Sequence, residues 1–348
     1  MTKIPTAIEE VDASWMSVAL GRSITDVRHE QIGVGIGVSS AVYRTSLSGF
    51  DAPTLITKLP AIAEEAVFTS SVLRMYIREV RFFQNLAQDS PIRVPQGYHG
   101  MVDEETSQFV QLMEDMGSLR IVDQNEGMGI DDARQAVDEL ALWHAEWWGR
   151  ADPIVERGDS VCLSDPVYPA VLPLVFAEGW EKVNNEMTVA PEILAVGPAW
   201  TEKLGGLLAS LSGQPNTITH GDFRADNILF SDDGSIVLLD FQLTGRGSAS
   251  YDLAYFITQS LTPEVAATHE TELFNRWRDG LIAADVPEAA TVELWDRYRE
   301  AAYFCLVYPI VASRGMDLSD DRQYQLIDNM NMRFARAVDQ LNLADLAR

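Results

Sequence analysis

The first third of the chain is patterned for strands and the remainder for helices, and this switch restricts the fold more than any other feature. Val27 to Ile32, Ala41 to Leu47 and Thr54 to Leu59 are rich in β-branched residues and are separated by Gly, Ser, Asp and Pro, the pattern of short strands joined by turns. A helix from Asp12 to Leu20 precedes them, with Gly21 to end it. A longer helix is expected from Val72 to Ala87, stopped by Asp89-Ser90-Pro91, and Phe109 to Met113 reads as another strand. Beyond that the apolar spacing is helical, most clearly over Asp131 to Trp148, and most of the 8 tryptophans fall here. One strand pair interrupts it, Asn227 to Phe230 and Ile236 to Leu239, around the turn Ser231-Asp232-Asp233-Gly234. The expected class is α+β: a small antiparallel-sheet lobe with a helix over residues 1–113, then a large, mostly helical lobe over residues 114–348.

The 348 residues, 47% hydrophobic and 22% charged, are ample for a packed core. A net charge of −26, with no Lys/Arg-rich run, repels nucleic-acid phosphates and argues against such a partner. That acidity suits either a trap for cationic substrates or a solvated surface that aids solubility, and the second reading is favoured. Cys162 and Cys305 are far apart and form no CxxC, so a zinc framework is not expected; both read as packed, reduced thiols of a cytoplasmic protein. Met1 to Glu10 lacks the basic and apolar segments of a signal peptide. Ala301 to Ala312, the longest uncharged apolar stretch, is too short to span a bilayer and reads as a buried helix.

Chemistry concentrates in His220-Gly221-Asp222-Phe223-Arg224-Ala225-Asp226-Asn227, followed 13 residues later by Asp240-Phe241-Gln242. Phosphoryl transfer needs a carboxylate to orient and deprotonate the attacking hydroxyl, hard-oxygen ligands for Mg2+, and a cation on the phosphates that stay behind. Asp222 suits the base, and Asn227 and Asp240 suit the metal ligands. A His-Gly-Asp turn or an Asp-Asp-Gly hairpin alone is commonly structural; their conjunction is far more specific.

The front of the chain supplies a cation. Met75, Phe82, Phe83 and Leu86 share a helical face with Glu79, which turns its carboxylate to the apolar side. A buried carboxylate is costly unless paired. Lys58, in the strand Leu55-Ile56-Thr57-Lys58-Leu59, is the natural partner, with Glu65 and Arg78 as competing ones.

The segment His220 to Asn227 resembles the protein-kinase catalytic loop H-R-D-L-x-x-x-N followed by D-F-G, and its H-G-D form is closer to the aminoglycoside phosphotransferase and choline kinase family. The resemblance implies a two-lobed protein-kinase-like fold, ATP and Mg2+, with Asp222 as catalytic base and Asn227 and Asp240 as magnesium ligands. It also puts Arg224 near the γ-phosphate, makes His220 an internal brace, and pairs Lys58 with Glu79 on the nucleotide phosphates. Gly33-Val34-Gly35-Ile36-Gly37-Val38-Ser39-Ser40 is similar to the family's nucleotide loop, with Ser39 and Ser40 near the phosphates, although Val38 departs from G-x-G-x-x-G. Val110 to Met116 resembles the interlobe hinge, with Glu114 and Met116 at the adenine. Leu140 to Trp148 is similar to a helix that supports the catalytic loop, with His144 read as core. Asp252, in Tyr251-Asp252-Leu253-Ala254-Tyr255-Phe256, matches an aspartate that braces the loop through backbone hydrogen bonds.

Only 11 residues separate Asp240 from Asp252, with no A-P-E between them, so the expected acceptor is a small-molecule alcohol rather than a protein. Arg93-Val94-Pro95, Met113-Glu114-Asp115 and Leu253-Ala254-Tyr255-Phe256 resemble the ecdysteroid-kinase-like branch and kinase domains fused to acyl-CoA dehydrogenases, which implies a lipid-like or hydroxyacyl alcohol. Trp277, Trp295, Tyr298 and Tyr303 either line an apolar pocket or fill the core, and core is the favoured reading. The rival readings are a nucleotide-binding regulator without catalysis and, below it, a protein kinase.

Overall fold

The computed structural model describes residues 3–33 and 39–348. The chain forms two compact units, Met1–Arg120 with Val237–Thr244, and Ile121–Ile236 with Gly245–Arg348.

The first unit is built on a five-stranded antiparallel sheet of order β1-β2-β3-β5-β4, from β1 (Asp26–Ile32), β2 (Ser40–Ser48), β3 (Thr54–Pro60), β4 (Gly97–Val102) and β5 (Phe109–Glu114). Four of these were expected to within a residue or so. β4 was not, because glycines at 97 and 100 hide it; the strand exists through its pairing with β5, with an irregular register between Gly97 and His99. Alternation along the strands sorts the side chains. Leu55 and Leu59 of β3 and Val110 and Leu112 of β5 join Val11, Met16, Ile24 and Leu47 in a core on one face. That face is covered by helix α1 (Ala13–Leu20), capped by the Asp12 carboxylate on the Trp15 N–H at 2.8 Å. The other face receives Phe109, stacked on Tyr76 at 4.2 Å, and by the same alternation Ile56 and Lys58.

The helix expected over Val72 to Ala87 is α3 (Met75–Asn85), and a helix that was not expected, α2 (Glu64–Val72), precedes it, the two broken where Arg74 adopts φ +54°. The reason lies in Arg78: its buried guanidinium donates to the Leu73 carbonyl at 2.6 Å and so closes α2 from within α3. Val237–Thr244 belongs with this unit because Phe241, fully buried, stacks on Phe82 at 3.7 Å and meets Phe83 edge-on.

The second unit is largely helical. Helix α4 (Ile130–Glu146) packs on Pro263–Ala283, and the helix Ser250–Ser260, buried at every residue, packs on Leu294–Phe304. A small sheet of Val161–Cys162, Gly245–Gly247 and Thr217–Thr219 supports the start of the loop at His220. Ala301 to Ala312 is buried over most of its length but is not one helix. Leu294–Phe304 ends at Cys305, and Val307–Ala312 begins anew, because Pro309 has no N–H for the Cys305 carbonyl and its ring crowds it. Cys305 is packed as expected, whereas Cys162 is only half-buried, with the Arg246 guanidinium 3.2 Å from its sulfur. Among the described residues no helix is long and apolar enough to cross a membrane.

Glycine testifies to the packing of the second unit. A Cβ on Gly179 would lie 2.0 Å from the Ile310 carbonyl oxygen, whereas one on Gly205 meets nothing within 4 Å. Gly179→Ala is therefore expected to destabilise the protein by about 1–3 kcal/mol through overpacking. Gly205→Ala, exposed on the helix Pro191–Leu211, should stabilise it by about 0.5–1 kcal/mol. Urea unfolding of both variants checks the contrast, and equal midpoints would contradict it.

Candidate active site

In the first unit the sheet and α3 bring together most of the residues expected to hold a nucleotide. The Lys58 ammonium lies 2.6 Å from Glu79 Oε1 and 3.6 Å from Asp240 Oδ1, with the Glu79 side chain fully buried and that of Lys58 only 10% exposed. Burial works against the lysine's charge, but the carboxylates of Asp240 and Glu79 overcome it and hold Lys58 above the ordinary lysine range. Of the competing partners, Arg78 spends its guanidinium on the Leu73 and Thr244 carbonyls. Asp240 itself has φ +63°, a left-handed conformation that aspartate tolerates better than most residues and that functional sites often hold.

Gln242 completes this cluster and was not foreseen. Its Oε1 accepts from Ser39 Oγ at 2.6 Å, and its Nε2 donates to Ser40 Oγ at 2.5 Å and to Glu79 Oε2 at 3.0 Å. The remaining glycine-rich stretch, residues 34–38, lies outside the described residues. Glu114 and Met116 stand apart from the cluster. The Glu114 carboxylate accepts from Arg93 and from the Gln96 N–H, its own N–H is bound to the Gln96 carbonyl, and Met116 is buried just beyond β5.

In the second unit the loop at His220 gathers the other candidates. Asn227 Nδ2 donates to the Asp222 carbonyl at 2.9 Å and to Asp222 Oδ2 at 2.8 Å, so the two side chains are locked together. Arg224 lies between two carboxylates, with Nε 3.2 Å from Asp222 Oδ1 and Nη1 2.7 Å from Asp226 Oδ2. The Tyr255 phenol also stands beside the Asp222 carboxylate and helps to keep it ionised. Burial alone would raise the Asp222 carboxyl, but the Arg224 charge, helped by His220, Tyr255 and Asn227, holds it below the usual carboxylate range. Asp226 accepts in addition from the Gln124 N–H at 3.1 Å, and Arg333 donates to the Gln124 and Gln259 carbonyls at 2.7 Å each. Sequence reasoning missed Asp226, Arg333 and Tyr255 in these roles; only the spacing of Asp226, two residues from Arg224, offered a signal.

A buried carboxylate fixes the loop's backbone. Asp252, fully buried, accepts from the His220 N–H at 2.7 Å and from the Gly221 N–H at 2.9 Å, as the resemblance implied. Gly221 has φ +84°, which a side chain would resist. Behind Asp252, His144 Nε2 lies 3.0 Å from Oδ2, and His144 Nδ1 accepts from Trp277 Nε1 at 3.1 Å. An indole N–H can only donate, so the imidazole carries its hydrogen on Nε2 and donates to Asp252. His144 and Trp277 are core residues, as expected, yet their polar atoms form a chain that ends on the loop.

The oxygen donors of each unit suit magnesium rather than a protein-caged metal. In the second unit Asn227 uses its amide nitrogen on Asp222, which leaves Oδ1 as a hard acceptor, and in the first unit Asp240 presents a carboxylate. Among the described residues no group of three or more His, Cys, Asp or Glu could hold a metal. An amide oxygen and a carboxylate oxygen are each the kind of hard donor that Mg2+ takes from a protein when phosphates and water fill its other positions.

The model of the phosphotransferase enzyme family matches residues 31–301. The chain belongs to that family. It is a phosphotransferase, as the loop motif implied. Ethanolamine kinase from Plasmodium vivax shares 11% identity with it at a TM-score of 0.58, covering 89% of this chain and 82% of the kinase. Choline kinase LicA from Streptococcus pneumoniae shares 15% at 0.54, over 96% and 99% of the two chains. The GDP and kanamycin complex of APH(2")-IIia shares 13% at 0.55, over 93% and 94%. No curated protein matches the sequence. The α+β, protein-kinase-like fold expected from the motif is borne out.

Because Asp252 satisfies two buried N–H groups and the imidazole at once, Asp252→Asn turns an amide NH2 toward a donor. The phosphotransferase should lose about 1–3 kcal/mol of stability, read by urea unfolding. An unchanged midpoint would show that the carboxylate does not hold the loop.

Proposed function

We propose that this phosphotransferase transfers the γ-phosphoryl group of ATP to a hydroxyl of a small molecule, with Asp222 as the base. The observation that carries the reading is the Asp222 carboxylate, locked by Asn227 and Arg224 and kept ionised, in a loop anchored by Asp252. An ionised, oriented carboxylate is what accepts the proton of an attacking alcohol. The acceptor oxygen forms its bond to phosphorus as the bond to the ADP oxygen breaks, and the hydroxyl proton passes to Asp222.

Lys58, aligned by Glu79, binds the phosphates that remain on ADP. Arg224 has Nε and Nη1 on its carboxylate neighbours and offers Nη2 to the transferred group. Asn227 and Asp240 would hold Mg2+, which supplies charge neutralisation on the phosphates when bound. Glu114 and Met116 are assigned to the adenine.

A small acceptor is favoured because the segment after Asp240 is short and its Gly245–Gly247 is already a strand of the sheet that leads to His220. No stretch is left to cradle a peptide. Relatives named for choline, for ethanolamine and, in one complex, for kanamycin point the same way. A regulator without catalysis has no use for a base held ionised beside the metal ligand Asn227, so catalysis is the better reading.

Asp222→Asn should lower turnover by about 10²–10⁴-fold while nucleotide affinity stays near wild type. Asp240→Ala should instead weaken Mg-nucleotide binding. ADP release with ATP and with GTP, across aminoglycosides, choline-like alcohols, sterols and hydroxyacyl thioesters, together with calorimetry, reads both. Wild-type turnover by Asp222→Asn would remove Asp222 from the role of base.

A further inference from the structure

Gln242 stands two residues after Asp240, where the D-F-G of a protein kinase carries a glycine with no side chain. Here the position holds an amide that is 1% exposed and bonded on both ends. Its orientation follows from its neighbours. The Glu79 carboxylate only accepts, so Nε2 must face it, and Oε1 then faces Ser39, whose hydroxyl must donate. Nε2 also donates to Ser40 Oγ, so the Ser40 hydroxyl keeps its own proton for another acceptor.

The two serines thus differ in what they can do. The Ser39 carbonyl accepts from the Tyr76 hydroxyl at 2.8 Å and from Ser70 Oγ at 3.4 Å, so residue 39 is tied down through backbone and side chain alike. Ser40 is the serine with a hydroxyl proton left to give. Glu79 is divided in the same way: Oε1 takes Lys58 and Oε2 takes Gln242, and the amide fixes the plane in which the carboxylate presents itself to the lysine. The Gln242 N–H lies 3.4 Å from Asp240 Oδ1, which brings the candidate metal ligand into the same arrangement.

We propose that Gln242 is a positioning residue that clamps Ser39 and Ser40, where the chain leaves the glycine-rich stretch, to the Lys58–Glu79 pair, leaving Ser40 to donate to a nucleotide phosphate. Binding of a phosphate by Ser40 and alignment of Lys58 are thereby coupled through one side chain. The assignment rests on the nucleotide-dependent reading proposed above.

The test is a double-mutant cycle on MgATP affinity by calorimetry, with Q242M, S39A, S40A and the Q242M/S39A double variant, foldedness being checked by thermal unfolding. Q242M keeps length and removes the hydrogen bonds, and it should raise the MgATP dissociation constant about tenfold, since one lost bond is to a charged group. S40A should weaken MgATP as well. The Q242M/S39A variant should be no weaker than Q242M alone, because both changes remove the same clamp, and the KM for the acceptor should stay at its wild-type value in each. Should Q242M not fold, Q242N keeps the polarity but is a methylene too short to reach all its partners, and the same loss is expected. Fold-changes for Q242M and S39A that multiply would overturn the clamp, as would wild-type MgATP affinity in either glutamine variant. A wild-type protein that binds neither MgATP nor MgGTP would overturn the nucleotide reading itself.

Discussion

A lysine and a glutamate with almost no access to water hold the first unit in its working form. Removing the lysine would leave Glu79 buried with the Gln242 amide but no counter-charge, a loss of about 3–5 kcal/mol, so the pair ties β3 to α3 whatever else each element does. α3 is fixed at three points along its length. Arg78 closes the preceding helix, Glu79 meets Lys58 and Gln242, and Phe82 stacks on Phe241. The last two contacts reach the same short segment, so the residues around Asp240 and the helix that carries Glu79 support each other. Asp240 keeps its left-handed backbone inside that frame, where strain is held by surrounding packing.

The second unit solves the same problem with a different device. The loop at His220 leaves its charged side chains only part-buried and needs its backbone held still. Asp252 does this from a helix that is buried at every position, and its own orientation is set by His144, which is set by Trp277. Each member is hydrogen-bonded, as a buried polar chain must be to avoid a large desolvation cost. On its part-buried side, alternating charges Asp222, Arg224 and Asp226 hold the loop's side chains in register.

Much of this was legible in the residues, for stated reasons. Strand alternation and a helical face, two periodicities independent of tertiary context, sufficed to aim Lys58 and Glu79 at one another. The Asp252 brace was legible only through resemblance, because a carboxylate bonded to backbone N–H groups leaves no pattern in the sequence around it. Gln242 was not legible as a partner of Ser39 and Ser40, which lie some 200 residues earlier in the chain. The break between α2 and α3 at Arg74 depends on a guanidinium finding a carbonyl in three dimensions, which periodicity does not report. β4 was hidden by glycines and exists through its neighbour, whereas the break at Cys305 followed from Pro309 and was open to sequence reasoning that gave too much weight to apolar continuity.

What unites both units in function is transfer of a phosphoryl group to a small alcohol, and the chemical identity of the product tests it most directly. Phosphorus NMR of the protein incubated with ATP, Mg2+ and each candidate alcohol in turn should reveal a new phosphomonoester resonance with at least one acceptor, which disappears when the alcohol is omitted. Nucleotide that binds tightly yet leaves every alcohol unmodified, or phosphate found on protein instead, would contradict the account.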